Sequence, residues 1–514
     1  MKRKNVVAAG HQVTVEAARE ILWLGGNAFD AAVGAVFAAM VAEFGLTSAG
    51  GAGYLMATTK GDVPIVYDFF VEMPRGQEPD NLDFFPVEVD FGGATQEFHV
   101  GRASAGVPGN VAGLLQVQEE LGRLALPDVL APSVRAARDG VVFTEHQAYL
   151  LQILRPILTH SKEGRELYAP DGKLLTVGDT LRMPDFSDFL LVLSREGREF
   201  FYLGEAARIM TEWSEGQGGL LTKADFEQYR VVKRNPVKTR FTGYDVYLNP
   251  PPAQSGVLID VTLSLLEREH CERGRNVSLA DLVRAFDVTN QLRAEMLPVG
   301  SVHQLQAALS ADSRCEKYLK KYRQDERGAS EPPVPSAGST THISVLDAEG
   351  KAASVTTTNG EGCGYVIPGL GFMPNNMLGE QDLNPQGFHR YAPGERLSSM
   401  VAPTIVVQNG EPILVTGTAG SNRIRSVLTQ LLLWILYEGR GVEAATEFPR
   451  VHLEGDLLSA EPGVPEEELR SLENRYSVHR WPKRALFFGG ANSVTPEEGA
   501  GDSRRGGCSF GSSA

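Results

Sequence analysis

Apolar positions recur at helical spacing near the start of the chain. From about Val13 to Leu24, Val15, Ala18, Ile21 and Leu22 fall on one face, and Gly25-Gly26 closes the run. Asn27 and Asp30 are suited to cap a second helix, which stays Ala-rich and apolar to about Glu43. Val6 to Ala9 predicts a short strand, and a Gly-rich turn from Ser48 to Gly53 leads into another at Tyr54–Thr58. The middle of the chain reads as largely helical, with segments near 108–120, 126–139, 204–215 and 223–228. Residues 257–269 and 278–295 have clear amphipathic periodicity, and Val107-Pro108-Gly109 and Pro250-Pro251-Pro252 are rigid turns.

The pattern changes after residue 324. Residues 325–339 combine prolines 332, 333 and 335 with small polar neighbours, which predicts an exposed, extended linker. Two β-branched runs follow, Thr341–Leu346 and Ala353–Thr358, joined by the turn Asp347-Ala348-Glu349-Gly350. Strands are predicted at 403–408 and 412–416 around Asn409-Gly410, and a long apolar helix over 423–438.

Composition narrows the class. The chain has 514 residues, 42% hydrophobic and 22% charged, as in ordinary globular proteins. Acidic residues exceed basic ones by 64 − 49 = 15, so no global attraction to nucleic acid is expected. Four cysteines (Cys271, Cys315, Cys363, Cys508) without CxxC spacing predict free thiols, with no disulfide framework and no metal ligands. Basic residues Lys2, Arg3 and Lys4 precede no apolar signal core, and Ala31–Ala42 is shorter than the ~20 residues a membrane helix needs. A cytoplasmic protein without a membrane partner is the expectation.

The candidate chemistry lies where the linker ends, at Gly338-Ser339-Thr340-Thr341-His342. A threonine hydroxyl is a weak nucleophile until a base sits beside it. An amino-terminal threonine carries its own base, because the α-amino group titrates near pH ~8. Such a residue arises only if the backbone is cut before it. By spacing alone, a polar strand start with no chemistry explains the same residues. The turn Gly417-Thr418-Ala419-Gly420-Ser421 before a predicted helix is a place where backbone N–H groups meet negative charge; no Gly-Lys-Ser/Thr follows, so it is not a phosphate loop.

Thr340 to Asp347, with Gly350, Ser354, Thr356 and Thr358, resembles the small-subunit start of the gamma-glutamyltransferase family of N-terminal-nucleophile hydrolases. Gly25–Ala32 is similar to that family's GGNAxDAA segment. Val107–Gly109, Pro251–Gly256, Asn375-Asn376, Leu397–Met400 with Pro403-Thr404, Gly417–Ile424 and Asp502–Gly507 fit in the family's order. The resemblance implies an α+β fold, a four-layer αββα sandwich built from regions 1–339 and 340–514 that stay associated after cleavage between Ser339 and Thr340. It implies Thr340 as nucleophile, Thr358 hydrogen-bonding the Thr340 hydroxyl or amine, and Gly420 with Ser421 as oxyanion donors. Ser398 and Ser399 would bind the substrate α-carboxylate, Glu380 its α-amino group, and Asn359 and Gly360 further substrate atoms. Register leaves Thr356 and Thr357 open as rivals of Thr358. No cofactor or metal is implied, and the partner is a small-molecule amide.

The departures fall in the substrate pocket. Phe70 stands where the family carries a carboxylate-clamping arginine, and nothing in the sequence shows that Arg75 replaces it. Met377 takes a position that is usually polar, and Ser421 replaces a glycine. His342 shares the Thr340 face but reads as structural. The expected activity is cleavage of γ-glutamyl amides such as glutathione. The alternatives are an acylase for another acyl amide, of dicarboxylic monoamide or glutaryl type, and an inactive homologue.

Overall fold

The computed structural model describes residues 4–90, 95–296, 311–324 and 339–513. The predicted linker therefore lies outside the described residues, apart from Ser339. Helices and strands combine in an α+β fold around two antiparallel sheets. The seven-stranded sheet runs in the order Cys508–Ser513, Lys4–Ala9, Thr340–Leu346, Ala352–Thr358, Ala52–Thr58, Ile65–Phe69, Val232–Arg234. The six-stranded sheet runs Gly499–Gly501, Gly490–Val494, Glu411–Ala419, Thr404–Gln408, Tyr244–Leu248, Val237–Phe241.

Strand alternation sorts the apolar residues into distinct cores. Val7, Ala9, Ile343, Val345 and Val355 pack with helices Gln12–Trp23 and Ala28–Ala42. Val6, Ala8, Tyr54 and Met56, from the opposite face, pack with Tyr247, Ile405, Val407 and Val415 of the second sheet. Val246, Leu248, Val406 and Leu414 pack with helices Ser255–Glu269 and Arg423–Leu432.

The N-terminal pattern folds as its spacing predicts. The Asn27 side chain accepts from the N–H groups of Phe29 and Asp30, and Asp30 returns a bond to the Asn27 N–H. The Ala28 N–H donates to Asp347 at 3.0 Å, tying the first third of the chain to the hairpin after Thr340. At the other hairpin, Asn409 and Gly410 have φ of 53° and 78°, the left-handed pair a tight two-residue turn requires.

Elsewhere the pattern misleads. The middle region contains strands Ile65–Phe69, Phe85–Asp90, Thr95–Val100, Val237–Phe241 and Tyr244–Leu248 as well as helices. They are five or six residues long, too short to outweigh the helical periodicity around them. The helix predicted over 423–438 is regular only to Leu432 and continues as a π-helical turn, Leu433–Tyr437. Among the described residues no helix is long and apolar enough to cross a membrane. Cys271, Cys363 and Cys508 are free thiols.

Polar residues join the sheets at the centre. His342 is fully buried, with Nδ1 at 2.7 Å from Thr356 Oγ1 and Nε2 at 2.9 Å from Ser344 Oγ. Ser344 donates to the Asn492 carbonyl at 2.8 Å, and Asn492 Nδ2 donates to the His342 carbonyl at 2.7 Å. Burial pushes the imidazole down to about 3, so it stays neutral and acts as a structural link. A Cβ at Gly417 would overlap the imidazole ring. Gly417→Ala is expected to cost about 1–3 kcal/mol by overpacking and to lower the thermal midpoint. An unchanged midpoint in a melting experiment would contradict this packing.

Candidate active site

The hairpin register settles which threonine faces Thr340. Thr340 pairs with Thr358, Thr341 with Thr357 and His342 with Thr356. Alternation turns the neighbours away: Thr357 reaches Thr47 at 2.9 Å and Thr341 reaches Glu43 at 2.5 Å, both on the helix side of the sheet. Thr340 and Thr358 therefore share the face that looks toward the second sheet.

The Thr358 hydroxyl donates to the Ser339 carbonyl oxygen at 2.6 Å and accepts from the Gly360 N–H at 3.0 Å. The expected bond to the hydroxyl or amine of Thr340 is not made in the continuous chain. In the continuous chain, the hydroxyl sits on the carbonyl of the bond just before Thr340. Ser339 is buried rather than an exposed linker end, because the turn after Thr358 grips it: its N–H donates to Glu361 Oε1 at 3.2 Å. Asn376 shapes that turn by accepting from the N–H groups of Glu361 and Gly362 at 2.8 and 3.2 Å. Gly360 has φ of 58°, and a Cβ there would overlap Asn376 and Glu380. Sequence reasoning missed Glu361. Its signal was a lone acid between two glycines, directly after the threonine strand.

A cleft of about 30 Å³ opens beside this pair, lined by Thr340, Thr358, Glu380, Asp382, Ser399 and Ser421 together with Phe70, Leu383, Met400, Val401 and Ile424. The remaining expected contacts lie behind its walls. The Ser398 hydroxyl donates to the Pro252 carbonyl at 2.9 Å and accepts from Gln254 at 3.0 Å. The Asn359 side chain donates to the carbonyls of Met373 and Pro374, and Gly360 supports Thr358. Gly420 and Ser421 join strand Glu411–Ala419 to helix Arg423–Leu432, with φ of 121° and 47°. The left-handed Ser421 costs on the order of 1 kcal/mol, a strain common at functional turns. Its hydroxyl donates to Asp382.

No cation lines the cleft among the described residues. Phe70 stacks on Tyr54 with ring centroids 5.5 Å apart. Arg75 is drawn to Asp225 and Glu72, at 3.4 and 3.7 Å. Arg396 is buried against Asp68 and Glu72, at 3.0 and 2.9 Å. From the terminal Asp502–Gly507 motif, Asp502 and Arg504 join Arg450 and Glu461 in a buried ionic cluster. Arg505 reaches the Leu486 carbonyl at 3.0 Å and the Thr340 carbonyl at 3.5 Å.

Burial, then the neighbouring Asp382, pushes the Glu361 carboxyl up to about 8. Burial with Glu361 and Asp382 holds Glu380 well above the carboxylate range. Glu361 therefore keeps its proton near neutrality.

The sequence model of the family described as Gamma-glutamyltranspeptidase matches residues 14–511. The chain is 29% identical over 512 residues to an acylase ACY 1 proenzyme of Pseudomonas sp. (strain V22), covering 96% of this chain and 89% of that one. It is 26% identical over 546 residues to a glutathione hydrolase proenzyme of Bacillus subtilis (strain 168), covering 99% and 92%. The structure superposes on a cephalosporin acylase from Bacillus halodurans with a TM-score of 0.82 at 23% identity, covering 99% and 96%, a likeness of fold.

The raised Glu361 carboxyl has a pH signature. Between about 4.5 and 8 the folded chain keeps a proton that the unfolded chain has lost, so this group's stabilising contribution falls as pH rises across that window. In a Thr340→Ala background, which keeps Ser339 in place, adding Glu361→Gln should flatten the decline of the thermal midpoint from pH 5 to pH 8. Equal slopes with and without Glu361→Gln would contradict the assignment.

Proposed function

The chain belongs to the gamma-glutamyltranspeptidase family and is an enzyme, and from that premise we propose that it cuts its own backbone before Thr340 and uses the freed threonine to cleave amides. The observation that carries this reading is the Thr358 hydroxyl on the Ser339 carbonyl at 2.6 Å, opposite Thr340 in the hairpin. That hydrogen bond polarises the carbonyl and stabilises charge as it develops on the oxygen. Thr340 Oγ attacks the Ser339 carbonyl carbon, the C–N bond breaks, and the nitrogen takes the hydroxyl proton. Water then hydrolyses the ester, leaving a carboxylate on Ser339 and an α-amine on Thr340. The proenzyme names of the two relatives accord with such a maturation.

In turnover the α-amine takes the Thr340 proton as Oγ attacks the donor carbonyl, and returns it to the leaving amine. Thr358 then bonds the freed Thr340. The N–H groups of Gly420 and Ser421 hold the oxyanion, while Ser399 and Glu380 contact the acyl group and water or an acceptor amine resolves the ester. The three apolar cores between successive layers support a four-layer αββα frame made by fragments 1–339 and 340–514 together.

For a γ-glutamyl donor such as glutathione the cleft supplies half of the recognition. Glu380 suits the α-amino group, but the α-carboxylate meets no cation. That gap favours the second reading, an acylase whose acyl group is not glutamyl. Ser398, Asn359 and Gly360 take supporting roles behind the walls.

Two fragments divided at Thr340 are expected on a denaturing gel, and Thr340→Ala should leave one uncut chain. Thr358→Ala should slow self-cleavage about 100-fold, as removal of an oxyanion donor does. Full-rate cleavage in Thr358→Ala, or fragments from Thr340→Ala, would contradict the proposal.

A further inference from the structure

The cleft beside Thr340 is chemically one-sided. Glu380 is 6% exposed and lines the cleft; its backbone carbonyl accepts from Asn384, and its carboxyl has no hydrogen-bond donor among the described residues. Its charged neighbours are the acids Glu361 and Asp382. Those two are engaged, Asp382 by the Ser421 hydroxyl and Glu361 by the Ser339 N–H, and both feel the buried Arg423 guanidinium behind the cleft. Glu380 has no such counter-charge. A carboxyl placed among carboxyls at a substrate cleft is costly unless a cation arrives to relieve it.

A second feature points to a ligand independently. Ser399 is 2% exposed and lines the cleft, yet its Oγ makes no hydrogen bond of normal geometry; the Tyr54 hydroxyl is its buried neighbour. This leaves a polar group open to a bound molecule. The remaining surface, Phe70, Leu383, Met400, Val401 and Ile424, is apolar. On the Phe70 side the nearby arginines are committed elsewhere, Arg396 to Asp68 and Glu72 and Arg234 to Asp68; Arg423, on the far side, donates through Nε to the Phe487 carbonyl and does not line the cleft.

We infer that the acyl group accepted here is short, carries an ammonium, and carries no carboxylate. Glu380 receives the ammonium, Ser399 contributes a hydrogen bond, and Phe70 packs on the methylene chain. A carboxylate at Phe70 would lose its hydration and gain no partner. This rests on the reading of Thr340 as the acylated nucleophile.

Four anilides separate the two charges: 4-aminobutyryl (ammonium only), γ-glutamyl (ammonium and carboxylate), glutaryl (carboxylate only) and butyryl (neither). Each is assayed on the self-cleaved protein, with Thr340→Ala as the blank. The 4-aminobutyryl anilide should exceed the γ-glutamyl and glutaryl compounds in kcat/KM on the order of 100-fold, because an unpaired buried charge is that costly. It should exceed butyryl about tenfold or more, the least a charge-assisted contact supplies. Glu380→Gln should bring the 4-aminobutyryl to butyryl ratio toward one, and Phe70→Arg should raise γ-glutamyl turnover relative to 4-aminobutyryl. Cleaved protein that prefers γ-glutamyl or glutaryl, treats 4-aminobutyryl and butyryl alike, or turns over none of the four overturns the inference while leaving the nucleophile reading intact. A chain that stays uncut on the gel overturns the nucleophile reading itself, and the inference with it.

Discussion

The pairing of Thr340 with Thr358 across one hairpin is the constraint on which the rest of the site depends. Register in a sheet is all or nothing: a slip by one residue would turn both hydroxyls toward the helices and leave the Ser339 carbonyl without its donor. The surrounding structure holds that register from both ends. Asp347 at the turn is bonded to the Ala28 N–H, and His342 two residues from Thr340 is wedged between Thr356, Ser344 and Gly417. The Thr340 strand is also interior to its sheet, with Lys4–Ala9 on one side and Ala352–Thr358 on the other. In the proposed self-cleavage, a rigid frame around the continuous bond is what would align an otherwise weak nucleophile with the carbonyl before it.

Electrostatics around that hairpin follow from its depth. Glu361, Glu380 and Asp382 crowd a site that holds no cation in its lining, and burial with the neighbouring acids raises the first two above the ordinary carboxylate range. The grip of Glu361 on Ser339 and the opening of Glu380 into the cleft assign different tasks to two similar acids. Glu361 accepts from the Ser339 N–H, and Glu380 lines the cleft beside Thr340. Arg396 and Arg234 are held in ion pairs away from the cleft, while Arg423 lies buried behind it.

Much of this was legible in the residues. β-Branched alternation marked the Thr340 hairpin, Asn27 with Asp30 marked the second helix, and Asn409-Gly410 marked a tight turn, because each is a local preference that tertiary packing did not override. The motif around Thr340 marked it as the candidate nucleophile and left Thr356 and Thr357 as rivals of Thr358, but cross-strand register depends on the whole sheet and places Thr358 opposite Thr340. Ser398 and Ser399 are adjacent in a backbone whose side chains alternate, so only one could reach the cleft, and the sequence held no sign of which. Glu361 was hidden because its role comes from a glycine-flanked turn folding back on Ser339. The fate of Arg396 depended on Asp68 and Glu72, over 300 residues distant in the chain. Short strands such as Tyr244–Leu248 were invisible because five residues carry too little periodicity.

The most direct test of the central claim is peptide-level mass spectrometry of an active preparation quenched during turnover of a slow donor. The account predicts a fragment beginning Thr-Thr-His-Ile-Ser, with the acyl mass on its first residue. A fully active protein whose Ser339–Thr340 bond is unbroken would contradict it, as would an acyl group carried on any other residue.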